Sequence, residues 1–345
     1  MTTELHLDAY LDRAASQGGV QADAAATILA LANAGRTIAR ILAAGPLAGA
    51  LGASRPGAAN DWGDAQKEFD VQAHGIVVDA LRAAPVACVL SEEAEHPVTL
   101  DPARRLSVAI DPLDGSSNLD TNAPVGTIFS ILPASRNDQG AAFLAPGREQ
   151  VAAGFLIYGA NTGLAVTMGD GARIFTLDPA RGAFVAVGSA AIPPATSEYA
   201  INASNGRHWD PAVRSYVDDC LAGAEGPRGR DFNTRWVASL VADAYRIMLR
   251  GGVYLYPGDR RAGYQAGRLR LVYEANPIAF LAEQAGGAAT DGRARILDLE
   301  PASLHQRVPF VFGSREEVTE VARLHARPER DLVSPLFGAR SLFRA

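Results

Sequence analysis

The stretch Leu106-Ser-Val-Ala-Ile-Asp-Pro-Leu-Asp-Gly-Ser-Ser-Asn118 joins an apolar run to two carboxylates and a glycine–serine turn. The apolar residues at 106–110 predict a buried strand. Asp111 and Asp114 follow at the corner where this strand should pass into a loop, and they supply the oxygen ligands that hard cations prefer. The Gly-Ser-Ser at 115–117 offers backbone N–H groups and hydroxyls to a phosphate and can open a helix. The stretch therefore predicts metal-assisted phosphate chemistry.

Short segments with helical and strand periodicity alternate along the 345 residues. Helices are predicted at 23–42, 66–82, 210–221, 237–250 and 277–285, and strands at 87–90, 106–110, 126–132, 151–158, 164–168, 174–177, 184–187, 199–202, 253–255, 269–273 and 309–313. The paired prolines at 193–194 predict a boundary between an N-terminal lobe, 1–193, and a C-terminal lobe, 194–345. This alternation is typical of an α/β protein.

Composition excludes several classes of function. The net charge of -6 argues against nucleic acid as a partner, because that would require a clustered basic face. No apolar run approaches the length of a transmembrane helix, and the first residues lack the features of a secretory leader. Cys88 and Cys220 lie far apart and are predicted to be buried thiols. We therefore expect a cytoplasmic protein without a membrane or nucleic-acid partner.

Acidic residues follow three of the predicted strands. Asp111 and Asp114 follow 106–110, the pair at 92–93 follows 87–90, and Glu274 follows 269–273. Each taken alone has a structural explanation, as a turn, a cap or a solvated surface step. The carboxyl ends of strands in an α/β sheet, however, meet at the crevice where ligands bind. Three strand ends that finish in acid therefore predict a Mg²⁺ site.

Four motifs resemble those of the lithium-sensitive, magnesium-dependent phosphatase superfamily, and more narrowly class I fructose-1,6-bisphosphatase. They are Glu92-Glu93, Asp111–Asn118, Leu271–Phe280 and Glu283–Gly287. The resemblance runs from about residue 20 to 320. It implies a layered α-β-α-β-α sugar-phosphatase fold made of two lobes, and a homotetramer. It also implies Mg²⁺-dependent hydrolysis of the 1-phosphate of fructose 1,6-bisphosphate, a small-molecule sugar bisphosphate.

The resemblance also implies roles for individual residues. It implies that two or more Mg²⁺ ions per subunit, for which Mn²⁺ can substitute, are bound by Glu92, Asp111, Asp114, Glu274 and the carbonyl of Leu113. The implied catalytic residues are Asp70 and Glu93, which activate water, and Asn60 and Asp64, which lie in a loop that closes over the metals. The implied substrate-binding residues are Gly115, Ser116 and Ser117 at the reacting phosphate, Asn202, Tyr256 and Arg268 at the distal phosphate, and Arg235, lent by a neighbouring subunit.

Departures from the family pattern concern substrate and regulation. Asn205, Trp236 and Arg268 stand where relatives carry two tyrosines and a lysine, which leaves sedoheptulose 1,7-bisphosphate open as the substrate, alone or beside fructose bisphosphate. The residues at 18–23, 105–106 and Pro133 differ from the AMP site of the animal enzymes. We therefore expect weak or absent inhibition by AMP.

Two further alternatives are weaker. The inositol monophosphatase branch carries a Trp-Asp pair where this chain has Tyr273-Glu274, which argues against inositol or nucleotide phosphates as substrates. A catalytically inactive sugar-phosphate sensor would be favoured by the loss of a matched acid, and every matched acid is present.

Overall fold

A computed structural model describes residues 5–49, 54–59, 65–135 and 140–327. Its α-helices are α1 (Leu7–Ala15), α2 (Gly19–Ala44), α3 (Glu68–Arg82), α4 (Pro211–Leu221), α5 (Leu240–Arg250), α6 (Asn276–Gln284) and α7 (Arg315–His325). Its strands are β1 (Ser54–Ala59), β2 (Ala65–Lys67), β3 (Val86–Ser91), β4 (Val98–Thr99), β5 (Leu106–Asp114), β6 (Val125–Pro133), β7 (Ala152–Tyr158), β8 (Thr162–Thr167), β9 (Ala172–Asp178), β10 (Ala183–Ser189), β11 (Glu198–Ile201), β12 (Asn233–Thr234), β13 (Val253–Tyr256), β14 (Leu269–Arg270), β15 (Ala288–Thr290), β16 (Arg307–Val308) and β17 (Phe310–Gly313).

The larger sheet has the strand order β10-β9-β8-β7-β6-β5-β3-β4. Only β3 and β5 pair in parallel in this sheet, and its other described pairs are antiparallel. Every residue of β5 is buried, which agrees with the continuous apolar run in its first half, because a strand covered on both faces has no polar face. The parallel pair brings the carboxyl ends of β3 and β5 to the same edge, where the predicted acids lie.

The smaller sheet has the order β12-β11-β13-β17-β15. Its first three strands are parallel, and β17 runs antiparallel to both of its neighbours. Aromatic side chains of β13 and β17, Tyr254 and Phe312, contact each other with ring centroids 5.4 Å apart. They form part of the apolar layer that this sheet presents to the middle of the molecule.

Helices cover both sheets and separate them. The helices α1, α2 and α3 pack on one face of the larger sheet, α5 and α6 lie between the two sheets, and α4 and α7 cover the outer face of the smaller sheet. Gly35 permits the close approach of α2 to β7, because a Cβ at this position would collide with the side chain of Leu156. The layer order is α-β-α-β-α, which confirms the predicted fold. No helix in the described part of the chain combines the length and apolar character needed to cross a membrane.

Most predicted helices and strands are present, but three boundaries near the acids are wrong. The strand predicted at 106–110 continues to Asp114, so Asp111 and Asp114 lie inside β5 rather than at a corner after it. The strand predicted at 269–273 ends at Arg270 and continues as a π-helical turn, Leu271–Ala275, that runs directly into α6. The helix predicted from 237 begins at Leu240, where Ser239 caps it. The division into lobes at residue 193 stays a prediction.

Candidate metal and phosphate site

Three buried carboxylates converge at the carboxyl end of β5. Asp111, Asp114 and Glu274 each offer an oxygen, and these oxygens lie within 4.8 Å of one another. All three side chains are less than one-tenth exposed. Carboxylate oxygens in this number and spacing are the ligands of hard divalent cations such as Mg²⁺ and Mn²⁺. The donor set therefore fits a divalent metal ion.

Electrostatics point to the same conclusion. Burial, followed by the charges of Glu92, Asp114, Glu274 and Glu93, raises the pKa of Asp111 well above its ordinary value. The pKa of Glu274 is raised by burial and by the charges of Glu92 and Asp114. Burial raises the pKa of Asp114 to about 6. Carboxylates that repel one another in a dry environment favour a cation that compensates their charge.

Backbone N–H groups hold two of these carboxylates in position. The N–H of Val241, in the first turn of α5, donates to Asp114 Oδ2 at 3.0 Å. The partial positive charge at a helix N-terminus stabilises a carboxylate there. The N–H of Leu113 donates to Asp111 Oδ1 at 2.9 Å. The backbone around them therefore fixes the orientation of both carboxylates.

The turn after β3 brings two more acids to the cluster. Glu92 and Glu93 are half-buried, and both raise the pKa of Asp111 through their charge. The guanidinium of Arg270 lies 3.9 Å from Glu92, measured from Nε to Oε1, and the backbone N–H of Arg270 donates to Glu274. The structure therefore places Glu92 near enough to raise the pKa of Asp111 and of Glu274 through its charge, beside the three-carboxylate group and in contact with one arginine.

The turn after β5 is adjacent to Asp70 of α3. Ser116 Oγ donates to Asp70 Oδ2 at 3.4 Å, and Asp70 is buried. Gly115 has a φ of +74°, a left-handed conformation that glycine adopts without strain. The helical turn that follows, Ser116–Thr121, is a short 3₁₀ turn with Ser117 exposed on it. The predicted phosphate cradle and one predicted base therefore lie side by side.

The residues predicted to bind the distal phosphate share one depression. Its lining includes Asn202, Tyr256 and Arg268, together with Asn205. The guanidinium of Arg268 lies over the ring of Tyr264, 4.8 Å from its centroid. Arg268 is the positive charge of this lining that a phosphate would contact, while Asp259 supplies a negative one.

Arg235 does not line that depression. Its side chain is half-exposed and lies 3.5 Å from Glu198, measured from Nε to Oε1, in a neighbouring depression that also includes Asp243 and Arg246. Two further predicted residues, Asn60 and Asp64, lie outside the described residues.

Sequence reasoning did not find Arg270, Thr127 or Ser91. Arg270 could have been found, because an arginine within the apolar run 269–273 requires a buried acidic partner. Thr127 and Ser91 carried no such signal, since a lone hydroxyl in a strand is common. Ser91 Oγ accepts the N–H of Glu93 at 3.3 Å and lies 2.8 Å from Nδ1 of His74, so it connects the turn after β3 to α3.

Comparisons with known proteins are consistent across the chain. Residues 9–189 match the family model "Fructose-1-6-bisphosphatase, N-terminal domain", and residues 192–326 match "Fructose-1-6-bisphosphatase, C-terminal domain". The chain is 57% identical over 349 residues to the class 1 fructose-1,6-bisphosphatase of Acidiphilium cryptum, covering 100% of this chain and 98% of that protein. It is 57% identical over 324 residues to the enzyme of the same name from Azorhizobium caulinodans, covering 93% and 99%.

Solved structures give the same result. The holo form of Leishmania major fructose-1,6-bisphosphatase matches with a TM-score of 0.86 and 32% identity, over 94% of this chain and 100% of that one. The apo form of the same protein matches with a TM-score of 0.81 and 30% identity, over the same shares of the two chains.

Proposed function

This chain belongs to the class 1 fructose-1,6-bisphosphatase family, and we propose that its buried carboxylate cluster is the catalytic metal site. The reaction is hydrolysis of fructose 1,6-bisphosphate to fructose 6-phosphate and phosphate. The observation that carries the site proposal is the convergence of Asp111, Asp114 and Glu274 within 4.8 Å, fully buried. Without a cation, the burial and mutual repulsion of these carboxylates destabilise the fold. With a bound cation, the same carboxylates form a metal site that can catalyse phosphate chemistry.

We propose Mg²⁺ as the metal of this metal-dependent family. The ligands would be the carboxylates of Glu92, Asp111, Asp114 and Glu274 and the carbonyl of Leu113, with two or more ions per subunit and Mn²⁺ as a substitute. When bound, the metal neutralises charge on the phosphate and acts as a Lewis acid toward its oxygens. The all-oxygen donor set supports this choice.

The remaining groups at the site have roles that follow from their positions. The carboxylates of Glu93 and Asp70 would accept the proton of the attacking water, since they flank the cluster without belonging to its core. The hydroxyl of Ser116 and the backbone N–H groups from Gly115 onward would hold the reacting phosphate. Ser116 already donates to Asp70, so the phosphate and the base share one hydrogen-bonded corner.

The distal phosphate would bind in the depression that Asn202, Tyr256 and Arg268 line. Arginine forms two parallel hydrogen bonds to a phosphate, where lysine supplies only a point charge. The guanidinium of Arg268 also lies over the ring of Tyr264, and this contact restricts its motion. This arrangement supports a bisphosphate substrate over a monophosphate.

We also propose a homotetramer, in which Arg235 reaches a neighbouring subunit. The half-exposed position of Arg235, outside the depression of its own chain, supports this role. Both cysteines are buried free thiols, which supports the proposed cytoplasmic location, since thiols persist in reducing compartments.

AMP is proposed to inhibit weakly or not at all. The basic residue at the position of the family's AMP site, Arg105, is engaged by a carboxylate of its own chain. Nη2 of Arg105 lies 2.8 Å from Oδ2 of Asp23, whose side chain is largely buried. A nucleotide phosphate would have to displace this carboxylate before it could bind the arginine.

Phosphate release from a panel of substrates tests the proposed function. The panel holds fructose 1,6-bisphosphate, sedoheptulose 1,7-bisphosphate and inositol 1-phosphate, each with Mg²⁺ or a chelator, and with or without AMP. We expect the highest kcat/KM on fructose 1,6-bisphosphate, no turnover with the chelator, and little effect of micromolar AMP. A higher kcat/KM on the seven-carbon substrate, or turnover without a divalent cation, would contradict the proposal.

The role of Glu93 is tested by Glu93→Gln, with Glu95→Gln as its matched control. Glu95 lies two residues further along and is exposed, so it undergoes the same change of charge outside the cluster. We expect Glu93→Gln to lower kcat by about 10²- to 10⁴-fold, the usual range for a general base, with little change in KM. Equal activities of the two variants would reject the assignment.

A further inference from the structure

An irregularity in β5 lies between the two aspartates of the cluster. Asp111 pairs with Ile128 of β6 and Asp114 pairs with Gly126, so three steps along β5 correspond to two steps along β6. This is a β-bulge, which inserts one residue and turns the following side chains toward a new direction. The extra residue falls at Pro112 and Leu113. Proline has no N–H to give to the ladder, so other groups must hold the backbone there.

Thr127 is the residue of β6 that lies opposite the bulge. Its hydroxyl donates to the carbonyl oxygen of Pro112 at 2.8 Å and lies 2.8 Å from the hydroxyl of Tyr158, in β7. The side chains of Thr127 and Tyr158 are 2% and 8% exposed, so water does not compete for these bonds. A side chain of β6 therefore bonds the bulge directly, and a side chain of β7 bonds to that side chain in turn.

The protons in this chain of bonds have one consistent arrangement. A carbonyl oxygen can only accept a hydrogen bond, so the hydroxyl of Thr127 donates its single proton to the carbonyl oxygen of Pro112. The hydroxyl of Tyr158 must then donate to the oxygen of Thr127. Burial raises the pKa of Tyr158 far above its ordinary value, which keeps this proton in place at every working pH. The order of donation is Tyr158 to Thr127 to Pro112.

Both ends of one peptide unit are fixed in this way. The carbonyl of Pro112 is held by Thr127, and the N–H of the same unit, from Leu113, donates to Asp111 Oδ1 at 2.9 Å. A peptide unit is planar, so holding its oxygen also sets the direction of its N–H. The hydroxyl of Thr127 thereby controls the orientation of the Asp111 carboxylate, although it contacts no ligand itself.

We propose that Thr127 and Tyr158 are positioning residues of the divalent-cation site, acting through the Pro112–Leu113 peptide unit. This inference rests on the proposed function, since it concerns the carboxylates assigned there to the metal. Partners that orient a ligand in this way usually contribute about 10- to 100-fold to metal affinity. The loss of the Thr127 hydroxyl would free the peptide unit to rotate and turn Asp111 away from its two acidic neighbours.

A matched control lies on the same strand. Ser130 is 1% exposed, and within the described residues its hydroxyl has no hydrogen-bond partner. Ser130→Ala therefore removes a buried hydroxyl from β6 without touching the bulge. Thr127→Val removes the corresponding group at the bulge while keeping the shape of the side chain, and Thr127→Ser restores the hydroxyl.

Calorimetric titration of Mn²⁺ into the chelator-treated protein, without substrate, is the decisive experiment. We expect Thr127→Val to bind Mn²⁺ about 10- to 100-fold more weakly, Thr127→Ser to recover most of the loss, and Ser130→Ala to match the wild type. With Mn²⁺ at saturation, KM for the bisphosphate should be unchanged in all three. Tyr158→Phe, which leaves the bond from Thr127 to Pro112 in place, should show a smaller loss of Mn²⁺ affinity, and it serves if Thr127→Val does not fold.

The outcomes separate the two proposals. Wild-type Mn²⁺ affinity in Thr127→Val, or an equal loss in Ser130→Ala, overturns the positioning role and leaves the catalytic site as proposed. A folded Thr127→Ser that fails to recover affinity also overturns it. Should the wild type itself bind no divalent cation, both proposals fail.

Discussion

Replacing Asp114 with asparagine is expected to stabilise the cation-free protein and to abolish its stabilisation by Mg²⁺. Asp114 is 7% exposed and shares its surroundings with Asp111 and Glu274. Burial raises its pKa from 3.8 to about 6, although backbone N–H groups of Val241 and Leu240 oppose the rise. Asparagine has nearly the same shape and its Oδ1 can still accept the N–H of Val241, but it carries no charge to desolvate.

The size of the effect follows from the pKa. When the pKa of a carboxyl is higher in the folded than in the unfolded state, its ionisation lowers the free energy of unfolding. This loss grows as the pH rises from the unfolded to the folded pKa. The rise from 3.8 to about 6 corresponds to about 3 kcal/mol at 1.36 kcal/mol per pKa unit. The whole penalty is present above pH 6, and about half of it at pH 5. Asp114→Asn should regain this free energy.

Urea denaturation of chelator-treated protein at pH 8 and at pH 5 measures this change. We expect Asp114→Asn to raise the free energy of unfolding by up to about 3 kcal/mol at pH 8 and by about half as much at pH 5. Mg²⁺ at 100 times its dissociation constant should stabilise the wild type by about 2.7 kcal/mol and leave the variant unchanged. At an ordinary exposed aspartate, the same change to asparagine would alter neither the free energy of unfolding nor the effect of Mg²⁺ on it.

Asp210→Asn is the control with the opposite sign. Burial opposes ionisation of Asp210, but hydrogen bonds from His325 and from the N–H of Val213 outweigh it and lower the pKa. Its replacement should therefore reduce stability at pH 8. The reasoning about the cluster is refuted if Asp114→Asn is less stable than the wild type at pH 8 without metal, or if its gain is the same at both pH values.

Three further predictions concern stability. Glu317 is fully buried and forms ion pairs with two arginines. Glu317→Gln should therefore lower the free energy of unfolding in urea by about 3–5 kcal/mol. The control Glu316→Gln, at an exposed neighbour, should lower it by under about 0.5 kcal/mol. Although burial disfavours a charged ring at His325, its hydrogen bonds to Asp210 and to a backbone carbonyl raise its pKa. The stabilisation by protonated His325 is therefore complete below pH 6.5 and is lost as the pH rises through the folded pKa. In thermal melts, the melting temperature of His325→Gln should therefore fall further below that of the wild type at pH 6 than at pH 8.5. Ala238 has a φ of +64°, and Ala238→Gly should stabilise the protein by about 1 kcal/mol in the same urea assay; a loss would show that the loop is not strained there.

Much of the layered fold could be predicted because its strands and helices carry clear periodicity. The run 106–110 predicted β5 correctly as far as it went, and the parallel pairing of β3 with β5 follows from the crossover between them. The predicted strand ended at Ile110, because the Asp-Pro-Leu-Asp that follows at 111–114 has the composition of a loop. Thr127, 15 residues beyond Pro112, holds the backbone of this part of the strand with a side-chain hydrogen bond, and the local sequence gives no sign of that bond.

Glu274 lies beside Asp111 and Asp114, as the sequence predicts, but the predicted structural reason is wrong. The segment Leu271–Ala275 is rich in apolar residues and was interpreted as the end of a strand, but it forms a π-helical turn. In this turn the carboxylate of Glu274 accepts the backbone N–H of Arg270, the residue that precedes the turn. Single π-helical turns occur often at functional sites, where they change the direction of one side chain. The spacing of apolar residues in the sequence does not predict them.

The acids of the proposed cation site were predictable because residue type alone selects a candidate ligand. Their orientation was not, because the groups that set it come from other strands and helices. Asp114 is held by the N–H of Val241, 127 positions away, and Asp111 through a peptide unit that Thr127 fixes. A carboxylate turned away from the common centre would still satisfy the sequence motif and would bind no metal. The information that separates a metal site from a cluster of acids therefore lies in the donors around it, and mutations of those donors should impair binding while every ligand remains in place.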